Sequence, residues 1–358
     1  MNDRFHFHIN RRVFLGTTLG GIATWSYRSG DAGDDSSEEE PYFHTRGVVL
    51  TPEDFTWTQW PQAVKDAKLT TIGIHHPRSP SQLIRFIQSR AGQTVLEQCK
   101  QLGLQVEYEL HAMSELLPRD WFAKDPTMFR VNEEGQRTPD ANLCVHSAPA
   151  LEIAAQNAIR LAQVLTPTTH RYYFWGDDGL PWCRCGLCRD LSDSEQALIL
   201  ENHLVEALRS LDAQAQLAHL AYANSLQPPR QIRPVSGLFL EFAPIHRRYD
   251  IPFESGEDPL QQQNLEALDA NLKIFGAKHA QALEYWLDVS RFSKWTRPAQ
   301  PLPFSLKSFQ SDLHTYGRRG IRHITSFAVY IDEEYVSQFG KPPLREYGEI
   351  LYRWKPED

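Results

Sequence analysis

Three shortages in the chain each remove a class of protein. Its 37 Lys and Arg stand against 45 Asp and Glu, a formal net charge of −8, and the basic residues nowhere gather into a cluster. Nucleic-acid backbones are held by such clusters, so a nucleic-acid partner is not expected. No apolar run reaches the ~20 residues that a spanning helix needs, so no stable membrane span is expected. No glycine-rich phosphate loop follows any candidate strand, which leaves an open, doubly wound sheet as an alternative without a motif to support it. What is present is an ordinary globular composition, 41% hydrophobic and 23% charged, in 358 residues. That length suits two average domains or one large barrel. Trp, Tyr and Phe make up 11% of the chain. Flat apolar rings with polar edges suit the faces of sugars as well as protein cores.

The stretch Asn10 to Trp25 opens with Arg11 and Arg12, passes through Phe14 and Leu15, and continues as a short apolar run rich in Gly and Thr. It resembles a twin-arginine export signal, which implies a periplasmic or extracellular protein. No cysteine follows the run, so a lipid anchor is not expected. Asp31 to Glu40 is an acidic, Ser-containing tract that reads as a disordered spacer. The expected division is a signal over residues 1–30, a linker over 31–41 and a folded domain over 42–358.

From Arg46 onward, short apolar runs alternate with helix-like segments, the pattern of βα units and a parallel sheet. Strands are expected at Gly47–Leu50, Thr70–His75, Gln105–Leu110, Asn142–Val145, Arg171–Trp175, Gln216–Tyr222, Gly237–Phe242, Ala282–Val289 and Ile321–Tyr330. Ser192 with Glu195 forms a capping box ahead of an apolar stripe, Ser147 and Pro149 open another helix, and Gly103 closes one. This predicts a single closed (β/α)8 barrel of the TIM type. The segment from Met113 to Ala141 is too long for a plain connection and reads either as a lid over the mouth or as an ordered insertion.

Barrel enzymes place their chemistry at the C-terminal ends of the strands. Those ends carry His75, His76, His111, Cys144, His146, Asp177, Asp178, Glu241, His246, Arg247, Arg248, Glu284, Trp286, Asp288, Asp332 and Glu333. Asp177 and Asp178 leave their strand side by side, so a persisting strand geometry turns one to the barrel axis and the other to its wall. Glu241 and Glu284 sit within apolar runs, where a carboxyl is costly unless partnered or functional. These four are the candidate catalytic carboxyls; the bland readings are a turn cap for Asp178 and buried ion pairs for the glutamates. His75, His76, His111, Trp175, Trp182, His246, Arg247, Tyr285 and Trp286 are candidate substrate contacts, or else core and loop residues. Cys144, Cys183, Cys185 and Cys188 come from the ends of two successive candidate strands and are expected to meet, whereas Cys99 lies alone in a helix. Such a cluster is a closed zinc site, two disulfides or free thiols. None of these is catalytic: no catalytic metal and no catalytic cofactor is expected, with structural zinc the one open option.

The series His111, Leu116-Leu117-Pro118, Trp121-Phe122, Pro126, Phe129, Gly135, Arg137, Leu143-Cys144, Ser147, Pro149, Asp178-Gly179, Cys183, Cys185 and Cys188 resembles domain-of-unknown-function family 4838. The family is grouped with barrel glycoside hydrolases near the α-glucuronidases and includes endo-β-N-acetylglucosaminidases of family 163. The resemblance spans roughly Arg46 to Tyr335 and implies a barrel acting on, or binding, a glycan that contains N-acetylhexosamine. The adjacent carboxyls resemble the Asp-Glu pair of family 20 hexosaminidases. This chain has Asp177 where the resembled family often has Asn, and Asp178 where the hexosaminidase pattern has Glu. The partner implied is an oligosaccharide, cleaved by a carboxyl acid/base pair or bound without cleavage. No oligomeric state is indicated.

Overall fold

A computed structural model describes residues 40–77 and 79–356. The twin-arginine stretch and most of the acidic tract lie outside the described residues. Eight parallel strands form one closed barrel in chain order: Thr45–Leu50 (β1), Thr71–His75 (β2), Gln105–His111 (β3), Arg171–Trp175 (β4), Gln216–Ala221 (β5), Leu238–Phe242 (β6), Gln281–Glu284 (β7) and His323–Phe327 (β8). Closure is made by β1 on β8, with Thr45 opposite His323 and Val49 opposite Phe327. The strands read as nearly continuous apolar and aromatic runs because helices cover their outer faces, leaving both sides buried.

The helices start and stop where their caps dictate. Ser192 and Glu195 form a reciprocal capping box at the head of Asp193–Arg209, and Gly103 closes Arg90–Leu102 at φ 67°, where a side chain would be strained. Pro149 sits in the first turn of Ala148–Val164. Among the described residues no helix is long and apolar enough to cross a membrane.

One expectation needs correction, and one open alternative is decided. Asn142–Val145 is not a barrel strand; Leu143 makes only a single antiparallel bridge to Phe129 inside the insertion. Its apolar character comes from burial against the β4 loop rather than from sheet pairing. The insertion itself is ordered, with a short helix at Met113–Leu116 and 3-10 turns at Arg119–Ala123 and Pro126–Met128. It is not a lid. It packs against the loop after β4, where Val131 and Arg184 pair through their backbones and Arg130 donates to the Trp182 carbonyl.

Alternate residues of each strand point inward and bond across the barrel. Tyr173 on β4 donates to Gln281 on β7 at 2.9 Å, and Trp175 on β4 donates to Glu241 on β6 at 2.8 Å. These strands are not neighbours, so the bonds run through the interior. The C-terminal helix Leu344–Arg353 seals the outside of β1: the Tyr347 hydroxyl donates to the Gly47 carbonyl at 3.0 Å, and a Cβ on Gly348 would lie 1.8 Å from the Ala67 carbonyl oxygen. Only a glycine allows that approach. Gly348→Ala is therefore expected to cost ~1–3 kcal/mol by overpacking, read as a lower midpoint of urea unfolding.

Candidate active site

The C-terminal mouth of the barrel holds a cavity of about 260 Å³. Its polar lining includes His75 at the end of β2, His111 at the end of β3, Asp178 beyond β4 and Asp288 beyond β7. The apolar wall is aromatic, with Trp175, Tyr285, Phe327 and the exposed Trp295. Tyr285 stacks on Phe327 at 5.2 Å, and His75 meets Phe327 edge-on at 5.4 Å.

The histidines are fixed by backbone carbonyls. His75 Nδ1 lies 2.8 Å from the Glu109 carbonyl oxygen and His111 Nδ1 lies 2.8 Å from that of Gly176, so each Nδ1 donates a proton to a backbone carbonyl. Burial, helped by His111, pushes His75 down to about 4 and keeps it neutral. His111 Nε2 stands 3.6 Å from an Asp178 oxygen, and the Tyr222 hydroxyl donates to the same oxygen at 3.0 Å.

The adjacent aspartates do diverge. Asp178 faces the cavity and is exposed, while Asp177 turns away to accept from Arg119 at 2.5 Å, its backbone amide held by Asn142 at 2.8 Å. Burial raises Asp177 and the Arg119 guanidinium opposes it. Trp182 is wedged beneath the same turn, 2.9 Å from where a Gly176 Cβ would stand, and does not line the main cavity.

Asp288 is the second carboxyl of the cavity. It caps the one-turn helix Val289–Phe292, accepting from the Ser290 hydroxyl at 2.6 Å and from the Arg291 amide at 3.3 Å. Burial pushes it up to about 6. A further buried carboxyl shapes the rim: Asp54 binds the Thr51 amide at 2.7 Å and the Tyr330 amide at 2.9 Å, fixing two cavity residues at once. Trp295 and Tyr330 both have positive φ, 54° and 71°, the kind of backbone strain that collects at functional rims.

Glu241 lies under this floor, one inward position below the cavity residue Ala243. It is fully buried, accepting from Trp175 and, at 3.2 Å, from Gln281. Burial pushes it up to about 8. Glu109 shares the same interior; both its oxygens are buried without a hydrogen-bond partner, and burial together with Glu241 raises it well above the carboxyl range. Glu241 is thus a proton-holding floor group that supports Trp175, rather than a lining residue.

Glu284, Arg247 and Trp286, expected at the mouth, lie elsewhere. Glu284 ends β7 with its side chain on the outer face, where Arg247 donates to it at 3.1 Å and to Asp312 at 2.5 Å. Trp286 donates to Asp312 at 2.9 Å, and the Tyr316 hydroxyl donates to Glu284. All five are buried, which suits an internal ion-pair network and leaves no room for substrate. His246 is exposed and His76 is buried, and neither lines the cavity. The residues that sequence reasoning passed over are Tyr222, Trp295, Tyr330, Thr51 and, as a chosen candidate, Asp288. Asp288 carried a signal as an acid just past a strand end before a helix turn, and Tyr222, Tyr330 and Thr51 as residues at or just past the ends of expected strands; Trp295 carried none.

This closed barrel with a carboxyl- and ring-lined mouth has the fold of glycoside hydrolase (β/α)8 barrels. It is similar to the β-galactosidase of Rahnella sp. R3 (TM-score 0.55, 12% identity, 87% of this chain and 56% of that one). It is also similar to the β-galactosidase of Marinomonas ef1 (0.52, 11%, 86% and 59%) and to the glycoside hydrolase domain of PgaB (BpsB) from Bordetella bronchiseptica (0.50, 11%, 87% and 99%). The chain spans less than three fifths of the length of those β-galactosidases. Over residues 29–332 the sequence matches the family described as domain of unknown function DUF4838, and the chain belongs to that family. No curated protein matches it.

Two outcomes follow from the buried groups. Arg247→Ala leaves Glu284 and Asp312 facing each other uncompensated, and the expected loss is ~3–5 kcal/mol in urea unfolding. Glu241 holds its proton more tightly folded than unfolded, so its contribution to stability is full below about pH 4.5 and is lost as the pH rises through about 8. Thermal melts across this range should show that decline in the wild type and a flatter profile in Glu241→Gln.

Proposed function

We propose that the chain is a glycoside hydrolase that cleaves a glycan at the C-terminal mouth of its barrel. The observation that carries this reading is that Asp178 and Asp288, delivered by the loops after β4 and β7, line one aromatic cavity. Hydrolysis of a glycosidic bond generally uses two carboxyls, one to protonate the leaving oxygen and one to act as base or nucleophile. Asp288, buried and pushed up to about 6, suits the acid. Asp178, exposed and oriented by Tyr222, suits the base or nucleophile, with the Nε2 of neutral His75 available as an acceptor to a sugar hydroxyl.

A cavity of about 260 Å³ is small beside the ~300–1,000 Å³ of most ligand sites, which suits a single sugar ring packed on Trp175 and Trp295 with the rest of the glycan outside. The family resemblance favours an N-acetylhexosamine-containing glycan, and the twin-arginine-like leader favours a periplasmic or extracellular one. No cofactor is assigned to the reaction. A specific observation favours a second reading, a carbohydrate-binding relative without turnover: the Asp288 carboxyl is already engaged as a helix cap.

One screen separates the two. The full chain is incubated with aryl glycosides and N-glycans, alongside Asp178→Asn and Asp288→Asn. Hydrolysis is expected in the wild type, with kcat lowered ~10²–10⁴-fold in each variant and falling in the wild type as the pH rises above about 6. Binding without turnover supports the second reading. Turnover unchanged in both variants removes the carboxyl pair from the mechanism.

A further inference from the structure

We propose that Cys144, Cys183, Cys185 and Cys188 bind one zinc ion in a closed tetrahedral site that ties the loop after β4 to the segment preceding the helix Ala148–Val164. This goes beyond the hydrolase reading and does not depend on it.

The four sulfurs lie within 4.8 Å of one another, and Cys144 Sγ is 3.9 Å from those of both Cys185 and Cys188. Zinc–thiolate bonds of ~2.3 Å at tetrahedral angles put the sulfurs about 3.8 Å apart, close to the spacing observed. A disulfide needs ~2.05 Å, and all four thiols are free, with Cys144 Sγ 3.9 Å from both Cys185 and Cys188. Three thiols come from one short loop and the fourth from a distant stretch of chain, an arrangement that gains most from a central ion.

The surroundings suit thiolates. The amides of Val131 and Cys185 donate to Cys183 Sγ at 3.3 and 3.4 Å. The Arg137 guanidinium, held by the Phe129 carbonyl, stands near enough to Cys144, Cys183 and Cys185 to interact electrostatically with them, offsetting the double negative charge of a zinc ion with four thiolates. Hydrogen bonds to ligand atoms of this kind orient a metal's ligands and tune them. On binding, each thiol releases its proton to solvent as its sulfur bonds the ion, with no change of oxidation state. All four positions are filled by protein, so no site remains for a reacting water; the role is structural. The loop it fixes begins with Gly176, Asp177 and Asp178, so the clasp sets the position of the cavity carboxyl from behind.

The test is the metal content of the full chain purified without chelator. About one zinc per chain is expected, released by an organomercurial, together with an intact mass showing all thiols reduced. Cys185→Ser, at the half-exposed ligand, should lower bound zinc at least about tenfold in folded protein, while Cys99→Ser, in a residue outside the cluster, keeps it. A native chain with no metal, with iron in place of zinc, or lighter by two hydrogens per disulfide overturns the proposal. Full zinc retention by Cys185→Ser does the same. Because the native protein is assayed directly, a variant that fails to fold leaves the result intact.

Discussion

Pairing of β1 with β8 is the constraint on which the molecule depends. With Thr45 opposite His323 and Val49 opposite Phe327, the sheet has no free edge and a defined inside. Alternation then decides what fills it. On β3 the inward positions are Glu107, Glu109 and His111; on β4 they are Arg171, Tyr173 and Trp175. Hence the interior below the mouth holds three carboxyls and the guanidinium of Arg171, which lies 3.7 Å from Glu107. One positive charge cannot balance three ionised carboxylates in a dry interior. Burial raises all three, and Gln281 and Thr325 supply neutral hydrogen bonds around them.

That interior bears on the mouth because it holds the cavity's aromatic floor. Glu241 anchors the Trp175 indole, and Trp175 packs on His111 at 5.0 Å and on His75 at 6.1 Å. The rim is set by different means: Asp54 binds Thr51 and Tyr330, Asp288 caps its own turn, and Arg119 draws Asp177 away so that Asp178 alone faces the cavity. In each case a buried or half-buried polar group, held by its own hydrogen bonds, fixes part of the rim. Positioning of this kind is what a site of fixed geometry requires.

The sequence made the barrel legible because its strands, sealed on both faces, stand out as apolar runs between capped helices. Capping signals at Ser192, Ser147 and Gly103 match the observed helix ends. Asn142–Val145 was misread because burial and sheet pairing leave the same apolar trace. The runs through Tyr285 and Val329 exceed their strands, β7 and β8, because their last residues bend outward to line the cavity. Asp178, His75, His111, Trp175 and Tyr285 were readable from strand ends. Glu284 stands out over Asp288 because it is a carboxyl inside an apolar run, yet its partners Arg247 and Asp312 are distant in sequence and only the fold brings them to it. Tyr330 closes the apolar run through β8 and reaches the cavity at a positive φ, whereas Trp295 reaches it through a positive-φ loop that no periodicity announces.

The central claim is that one end of the barrel, the mouth between the loops after β4 and β7, receives a glycan. Hydrogen–deuterium exchange of the full chain with and without an N-acetylhexosamine oligosaccharide tests it most directly. Slowed exchange concentrated at Gly176–Gly179 and Tyr285–Trp295 is the predicted result. Protection at the opposite end of the barrel, or exchange unchanged by every glycan tried, contradicts it.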